Sequence, residues 1–134
     1  MEKQNKIIVV EDDRDINTLI AYNLRKEGFF VEQVFDGKEA REMLTQERFD
    51  MAILDVMLPG VDGFDICREI KESDYASKTF VIMVTAKTRP QDKLYAHILG
   101  VDCYFTKPFN VAALMNTVHE ITMMQNKEFV VVSK

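Results

Sequence analysis

The sequence predicts an α/β protein in which helices cover both faces of one parallel β-sheet. Five short apolar runs alternate along the chain with five stretches whose apolar residues recur at helical spacing. Each stretch between two runs is long enough for a helical crossover, which parallel strands require. No linker, internal repeat or change of composition divides the 134 residues, so we expect one domain with a substantial core.

The five predicted strands are apolar runs that end at polar or turn-forming residues. They are Lys6–Val10, Phe29–Phe35, Met51–Leu54, Thr79–Val84 and Asp102–Thr106. The first run is uniformly β-branched after its lysine, which is typical of a strand buried on both faces.

The five predicted helices carry start and stop signals. We expect them over about 14–27, 38–47, 64–71, 90–99 and 111–124. The signals are Asp13 or Asp15 as the first cap, Gly28 as the first stop, Asp36-Gly37 as a turn, Pro90 in the fourth helix's first turn, Gly100 as its stop and Asn110 as the last cap. The apolar positions at helical spacing are Ile16, Leu19, Ile20 and Leu24; Ala40, Met43 and Leu44; Phe64, Cys67 and Ile70; Leu94, His97 and Ile98; and Leu114, Val118 and Ile121.

Composition excludes several classes of protein. The net charge of −5 is spread along the chain, and no Lys/Arg cluster offers to neutralise phosphates, so we expect no direct nucleic-acid binding. No apolar segment approaches the roughly 20 residues of a membrane span, and no signal peptide is visible. We therefore expect a cytoplasmic protein without membrane contact, in which Cys67 and Cys103 are reduced.

Polar residues stand where four of the apolar runs end. They are Glu11, Asp12 and Asp13 after the first run, Asp55 after the third, Thr85 after the fourth and Lys107 just after the fifth. Asp55 alone could simply end a strand or cap a turn, but the carboxyl ends of parallel strands share one edge of the sheet, so these side chains converge. Crowded carboxylates need a cation to stay ionised together, and an all-oxygen site without Cys or His fits Mg²⁺ better than Zn²⁺.

Residues 5–124 resemble the receiver domain of two-component response regulators. The resemblance is carried by four motifs in order and at family spacing, which are Val9–Asp12, Leu54–Gly63, Val84–Ala86 and Tyr104–Phe109. It implies a flavodoxin-like (βα)5 fold with strand order 2-1-3-4-5. It also implies a phosphorylation-activated switch, partnered by a sensor histidine kinase or phosphotransfer protein and by a downstream output protein or domain.

The resemblance also assigns roles to individual residues. Asp55 is implied to be the phosphorylated nucleophile, with Thr85 and Lys107 contacting the phosphoryl group. Mg²⁺ is implied to be held by Asp12 directly, by Glu11 through water, by Asp55 and by the carbonyl of Met57. The domain is expected not to be an enzyme, although it assists its own phosphorylation and dephosphorylation.

Conformational switching is implied for Thr85 and Tyr104, and the surface expected to change is that of the fourth helix, fifth strand and fifth helix. In the family, the bond between Lys107 and Pro108 is a cis peptide, and Ala86 leaves room for the phosphate. Asp13 lies one position beyond the acidic pair of the family, so we expect it to cap a helix or to be solvated.

Some residues depart from one class of receivers. Receivers with a winged-helix output usually carry Asp where this chain has Cys103, and arginines where it has Thr117 and Ile121. The symmetric dimer that those groups form is therefore not expected, although another homodimer stays open. The tail, 125–134, is expected to be an edge strand, a segment that pairs with another molecule, or the start of a linker.

Other functions remain as alternatives or are disfavoured. The main alternative is a receiver-like protein-interaction module that works without phosphate. A phosphatase of the haloacid dehalogenase type would need an Asp at position 57, which is Met, and a flavodoxin would need a phosphate-cradling loop where Glu11–Asp13 stand.

Overall fold

A computed structural model describes residues 5–74, 76, 78–123 and 132–133. The strands are β1 (Lys6–Val10), β2 (Phe30–Val34), β3 (Met51–Leu54), β4 (Met57–Leu58), β5 (Val61–Asp62), β6 (Phe80–Thr85), β7 (Cys103–Thr106) and β8 (Val132–Ser133). The helices are α1 (Arg14–Lys26), α2 (Gly37–Gln46), α3 (Gly63–Glu72), α4 (Pro90–Leu99) and α5 (Val111–Met123).

The main sheet has the strand order β2-β1-β3-β6-β7-β8, and all its pairings are parallel. When its five longer strands (β1, β2, β3, β6 and β7) are counted along the chain as 1 to 5, their order in the sheet is 2-1-3-4-5. This order confirms the predicted fold class. β4 and β5 form a separate antiparallel hairpin between β3 and α3, where the sequence indicated only a turn.

Two hydrophobic cores lie on the two faces of the sheet, because successive residues of a strand point to opposite sides. On one face, α2, α3 and α4 cover the side chains of Ile8, Val10, Ala52, Leu54, Val81 and Met83. On the other face, α1 and α5 cover those of Ile7, Val9, Met51, Ile53, Ile82 and Val84. The prediction of helices on both faces is confirmed.

The helix signals act largely as expected. Asp13, rather than Asp15, caps α1, and its carboxylate accepts hydrogen bonds from the backbone N–H groups of Asp15 and Ile16. Asp36 caps α2, so Gly37 is the first residue of that helix. The sequence had indicated a turn at Asp36-Gly37 before the helix. Asn110 caps α5 through the N–H of Ala113.

Three of the apolar residues at helical spacing are exposed to solvent. Leu19 is 45% exposed, Leu94 59% and Ile98 70%. In α1 the buried face consists of Asn17, Ile20, Ala21 and Leu24, which leaves Leu19 to one side. In α4 the buried residues are Asp92 and Ala96, and Leu94 and Ile98 lie on the exposed side of the helix. The ring of Tyr95 meets Phe64 of α3 edge to face, with centroids 5.0 Å apart.

A polar network ties the strands together at the amino edge of the sheet, opposite the predicted site. Lys71 Nζ donates to the carbonyl of Thr79 at 3.0 Å and lies 3.3 Å from Asp102 Oδ2. The same Asp102 oxygen accepts the N–H of Val81 at 2.7 Å. Burial raises the pKa of the Asp102 carboxyl, while Lys71 and the Val81 N–H oppose that rise. The hydroxyl of Thr79 donates to the carbonyl of Phe49 at 2.7 Å.

The last described residues extend the sheet. Val132 and Ser133 pair in parallel with Cys103 and Tyr104 of β7. The expectations for 124–131 and 134 fall outside the described residues. Within the described part of the chain, no helix has both the length and the apolar character needed to cross a bilayer.

Candidate functional site at the carboxyl edge of the sheet

Four neighbouring strand ends, those of β1, β3, β6 and β7, bring the predicted site residues together. β1 and β3 lie side by side, and the N–H of Asp55 donates to the carbonyl of Val10 at 3.1 Å. Lys107 follows β7, and its N–H donates to the carbonyl of Thr85 at 2.8 Å. The peptide bond between Lys107 and Pro108 is cis, as the resemblance implies.

A lysine ammonium bridges two buried carboxylates in this cluster. Lys107 Nζ lies 2.8 Å from Asp55 Oδ2 and 2.6 Å from Glu11 Oε1. Glu11 is 2% exposed and Asp55 is 4% exposed, so these charge-assisted contacts are shielded from water. The remaining carboxylate oxygens accept backbone N–H groups, because Asp13 donates to Glu11 at 3.1 Å and Met57 donates to Asp55 at 3.0 Å.

The pKa values of two groups reflect this burial. Burial raises the pKa of the Glu11 carboxyl, against the opposing effects of the Lys107 ammonium and the Asp13 N–H. For Lys107, burial alone would lower the pKa, but its hydrogen bonds and charge interactions with Asp55 and Glu11 outweigh burial and raise it. Lys107 therefore stays protonated at neutral pH.

The acidic cluster fits a hard divalent cation. Oxygen atoms of Glu11, Asp12 and Asp55 all lie within 4.8 Å of one another. Three carboxylates face a single ammonium, that of Lys107, and all the candidate ligand atoms are oxygens, which Mg²⁺ prefers. Asp12 is exposed, so the cluster opens to solvent on one side. Asp13 is not in the cluster, since its carboxylate caps α1.

An open groove of about 510 Å³ leads to this cluster. It is lined by Asp12, by Val56–Pro59, by the hairpin residues Val61 and Asp62, and by Lys87 of the loop after β6. The groove gives a reacting group access beside Asp12 and Met57.

The main chain of Lys87 connects the two expected switch residues. The fully buried Thr85 hydroxyl accepts the N–H of Lys87 at 3.3 Å, and the Tyr104 hydroxyl donates to the carbonyl of Lys87 at 2.8 Å. Tyr104 is only 4% exposed. Burial, with added repulsion from the carboxylates of Asp92 and Asp55, raises the pKa of Tyr104 to about 12.

Residues outside the site also take defined positions. His119 contacts Glu27 at 2.7 Å across α5 and α1, away from the acidic cluster. Cys103, Thr117 and Ile121 are all buried, so they offer no surface groups for ion pairs between subunits. Cys67 and Cys103 are thiols in opposite cores.

Two residues that position the site were missed from the sequence. Asn17 is completely buried and its side chain binds backbone carbonyls beside Glu11. The sequence did contain a sign of this role, because Asn17 is a polar residue on the same helical face as the apolar Ile20 and Leu24. Gly63 lets α3 begin directly against the Asp55–Val56 peptide, since a Cβ there would collide with the carbonyl oxygen of Asp55.

Comparison with known proteins identifies solved structures with a similar fold. The CheY-like receiver domain protein of Methanospirillum hungatei JF-1 is 25% identical, with a TM-score of 0.87 over 92% of this chain and 98% of that one. The receiver domain of DrrB from Thermotoga maritima, in a structure described as BeF3-activated, is 33% identical, with a TM-score of 0.82 over 90% and 99%. TrrA of the same organism, in complex with Mg²⁺ and BeF, is 27% identical, with a TM-score of 0.77 over 88% and 99%.

The family model of the response regulator receiver domain matches residues 7–119, which include both strand ends that carry the carboxylates and the loop that carries Lys107. The chain therefore belongs to the response regulator receiver domain family of two-component signal transduction.

Proposed function

We propose that this chain is a signalling switch that accepts a phosphoryl group on Asp55 from the phosphohistidine of a sensor histidine kinase or phosphotransfer protein. The observation that carries the proposal is the Asp55 carboxylate, which Lys107 Nζ contacts at 2.8 Å beside the oxygens of Glu11 and Asp12. Phosphoryl transfer depends on positioning and charge neutralisation more than on covalent help, and this cluster offers both.

In the reaction, an Asp55 oxygen forms a bond to phosphorus while the bond between phosphorus and the donor imidazole nitrogen breaks, and its electron pair returns to that nitrogen. Glu11, Asp12, Asp55 and the Met57 carbonyl would hold Mg²⁺, which when bound neutralises charge on the transferred oxygens. Lys107 supplies a second positive charge, and the Thr85 hydroxyl donates to a phosphoryl oxygen. With these groups the domain assists its own phosphorylation and dephosphorylation.

Phosphorylation is communicated through the main chain of Lys87. Thr85 contacts the N–H of Lys87 and Tyr104 contacts its carbonyl, so a new hydrogen bond from Thr85 to the phosphoryl group shifts the balance of Tyr104 orientations. The surface formed by α4, β7 and α5 then changes its affinity for an output protein or domain. The Mg²⁺ and BeF described for TrrA and the BeF3 described for DrrB support a phosphoryl site of this kind.

The test is intact mass spectrometry after incubation with acetyl phosphate. We expect one phosphoryl adduct in the wild type with Mg²⁺, no adduct without Mg²⁺ and no adduct in Asp55→Ala. Asp12→Asn and Asp13→Asn form a matched pair, because both remove one charge from neighbouring positions but only Asp12 belongs to the cluster. Asn also caps helices well, so Asp13→Asn should keep the adduct while Asp12→Asn loses most of it.

A wild type that neither gains an adduct under these conditions nor binds beryllofluoride at Asp55 contradicts the proposal. Binding of beryllofluoride without an adduct would instead indicate a phosphoryl group that is lost faster than it accumulates. Failure to bind beryllofluoride as well would favour a protein-interaction module that works without phosphate.

A further inference from the structure

We propose that Asn17 is a positioning residue for the acidic loop after β1, and that Arg25 and Gln33 hold Asn17 in its working orientation. The inference rests on the proposed function, because it concerns how the Mg²⁺-binding residues are placed. Asn17 contacts the acidic cluster through the backbone carbonyl of Glu11 and not through a carboxylate, so the proposed effect passes through the backbone.

Asn17 holds the backbone on which Glu11 sits. Its Nδ2 donates to the carbonyl of Glu11 at 3.0 Å and to the carbonyl of Val34 at 2.9 Å. The N–H of Glu11 donates to the same Val34 carbonyl at 3.0 Å. The main chain of Glu11 is therefore fixed at both its N–H and its carbonyl, and Asp12 follows directly from that fixed carbonyl.

The Asn17 amide belongs to a chain of hydrogen bonds with a single direction. Arg25 donates from its guanidinium to Gln33 Oε1 at 2.9 Å, and Gln33 Nε2 donates to Asn17 Oδ1 at 3.0 Å. A guanidinium has no acceptor and a backbone carbonyl has no donor, so both ends of the chain fix its polarity. Asn17 must then present its NH₂ group, and not its oxygen, to the loop.

Because Asn17 is buried, loss of its hydrogen bonds to the loop is expected to be unfavourable. Asn17 is 0% exposed, so the Glu11 and Val34 carbonyls cannot replace its donors with bulk water. Without the amide, the loop regains freedom at the peptide that joins Glu11 to Asp12. Outer-shell groups that orient metal ligands commonly change metal affinity by a factor of 10 to 100.

The test measures Mg²⁺ affinity and stability separately. NMR titration with Mg²⁺ alone gives the Kd, and urea unfolding gives the free energy of unfolding, for wild type, Asn17→Ala, Gln33→Ala and Thr79→Val. Thr79→Val is the matched control, because it removes one buried side-chain hydrogen bond to a carbonyl at the opposite edge of the sheet. All four proteins are also treated with acetyl phosphate.

We expect Asn17→Ala to raise the Kd for Mg²⁺ about tenfold, while Thr79→Val leaves it within about twofold of wild type although it also loses stability. Gln33→Ala changes a half-buried residue and leaves the Asn17 side chain in place, so it should raise the Kd roughly threefold. Should Asn17→Ala fail to fold, Gln33→Ala carries the same comparison.

The inference is overturned if Asn17→Ala, or Gln33→Ala where the first variant does not fold, binds Mg²⁺ as the wild type does. It is also overturned if Thr79→Val weakens Mg²⁺ binding as much as they do. A wild type that shows neither Mg²⁺ binding nor an Asp55 adduct would instead remove the proposed function, and the inference with it.

Discussion

Replacing Gly63 with alanine should damage both the stability of the domain and its reactive loop. Gly63 is the first residue of α3, and its N–H donates to the carbonyl of Val56 at 2.9 Å. An alanine Cβ would collide with the carbonyl oxygen of Asp55 and lie 2.6 Å from the Cα of Val56. Both atoms belong to the main chain, so no side chain can rotate away to relieve the overlap.

Overpacking by a single methyl group costs about 1 to 3 kcal/mol, and a collision with backbone places Gly63→Ala near the upper end of that range. Unfolding entropy of about 2.1 cal/mol/K per residue gives roughly 0.28 kcal/mol/K for this chain. A loss of about 3 kcal/mol therefore lowers the Tm by roughly 10 °C. Because the displaced peptide carries Asp55, the yield of phosphoryl adduct should fall as well.

Gly60→Ala is the control in the same loop. Gly60 has φ +71° and open space where a Cβ would lie, so alanine there suffers only left-handed backbone strain of about 1 kcal/mol. Thermal unfolding followed by circular dichroism should show a Tm lowered by roughly 4 °C for Gly60→Ala. Equal Tm shifts for the two variants would refute the reasoning, because they would mean that α3 can move away from the Asp55 peptide without cost.

Three further outcomes are expected. Thr117→Val should raise the free energy of unfolding in urea by about 1 kcal/mol, because the buried Thr117 hydroxyl has no hydrogen-bond partner among the described residues. A loss of stability would show that the hydroxyl does have a partner. Burial raises the pKa of the Cys67 thiol to about 11. Labelling of this thiol at pH 8 should therefore be at least about a hundredfold slower in the native protein than in the urea-unfolded protein. Rapid labelling of the native protein would contradict the burial of Cys67. The pKa of Tyr104 is raised from about 10, where a free tyrosine titrates, to about 12. The neutral phenol therefore stabilises the folded state fully below pH 10, and this contribution is lost as the pH rises towards 12. Tyr104→Phe should remove that part of the alkaline loss and lower stability at neutral pH by about 1 kcal/mol, and an unchanged alkaline profile would assign the loss to other groups.

Much of the fold could be predicted because the burial of the strands and the connections between them allow few arrangements of the sheet. The uniformly apolar runs at 7–10 and Met51–Leu54 require cover on both faces, and helical crossovers provide it only in a parallel sheet. The same topology brings Glu11, Asp55 and Lys107 to one edge, so their proximity followed from the strand assignment. Their chemical roles remain predictions for the mass-spectrometric test.

The parts that could not be predicted depend on packing direction. Helical spacing marks Leu94 and Ile98 as one face of α4, but it does not say which side meets the sheet, and the small side chain of Ala96 allows the closer approach. Asn17 was missed for a related reason. A polar residue in a helix is ordinarily solvated, and only the surrounding carbonyls of Glu11 and Val34 make its burial favourable.

The network of Lys71, Thr79 and Asp102 at the amino edge has a consequence for how this protein tolerates mutation in a cell. Its charges contact only structural groups, among them the N–H of Val81, whereas those at the opposite edge surround Asp55. Loss of a contact at the amino edge raises the unfolded fraction that proteases remove, so it lowers the amount of protein while each surviving molecule still responds fully. Under the proposed function, loss of the exposed Asp12 would instead leave abundant molecules that no longer respond. Genetic variants of this receiver should therefore separate into two classes according to the edge of the sheet that they alter. Variants at the amino edge should have low abundance, and variants at the carboxyl edge should have normal abundance but no response to the signal.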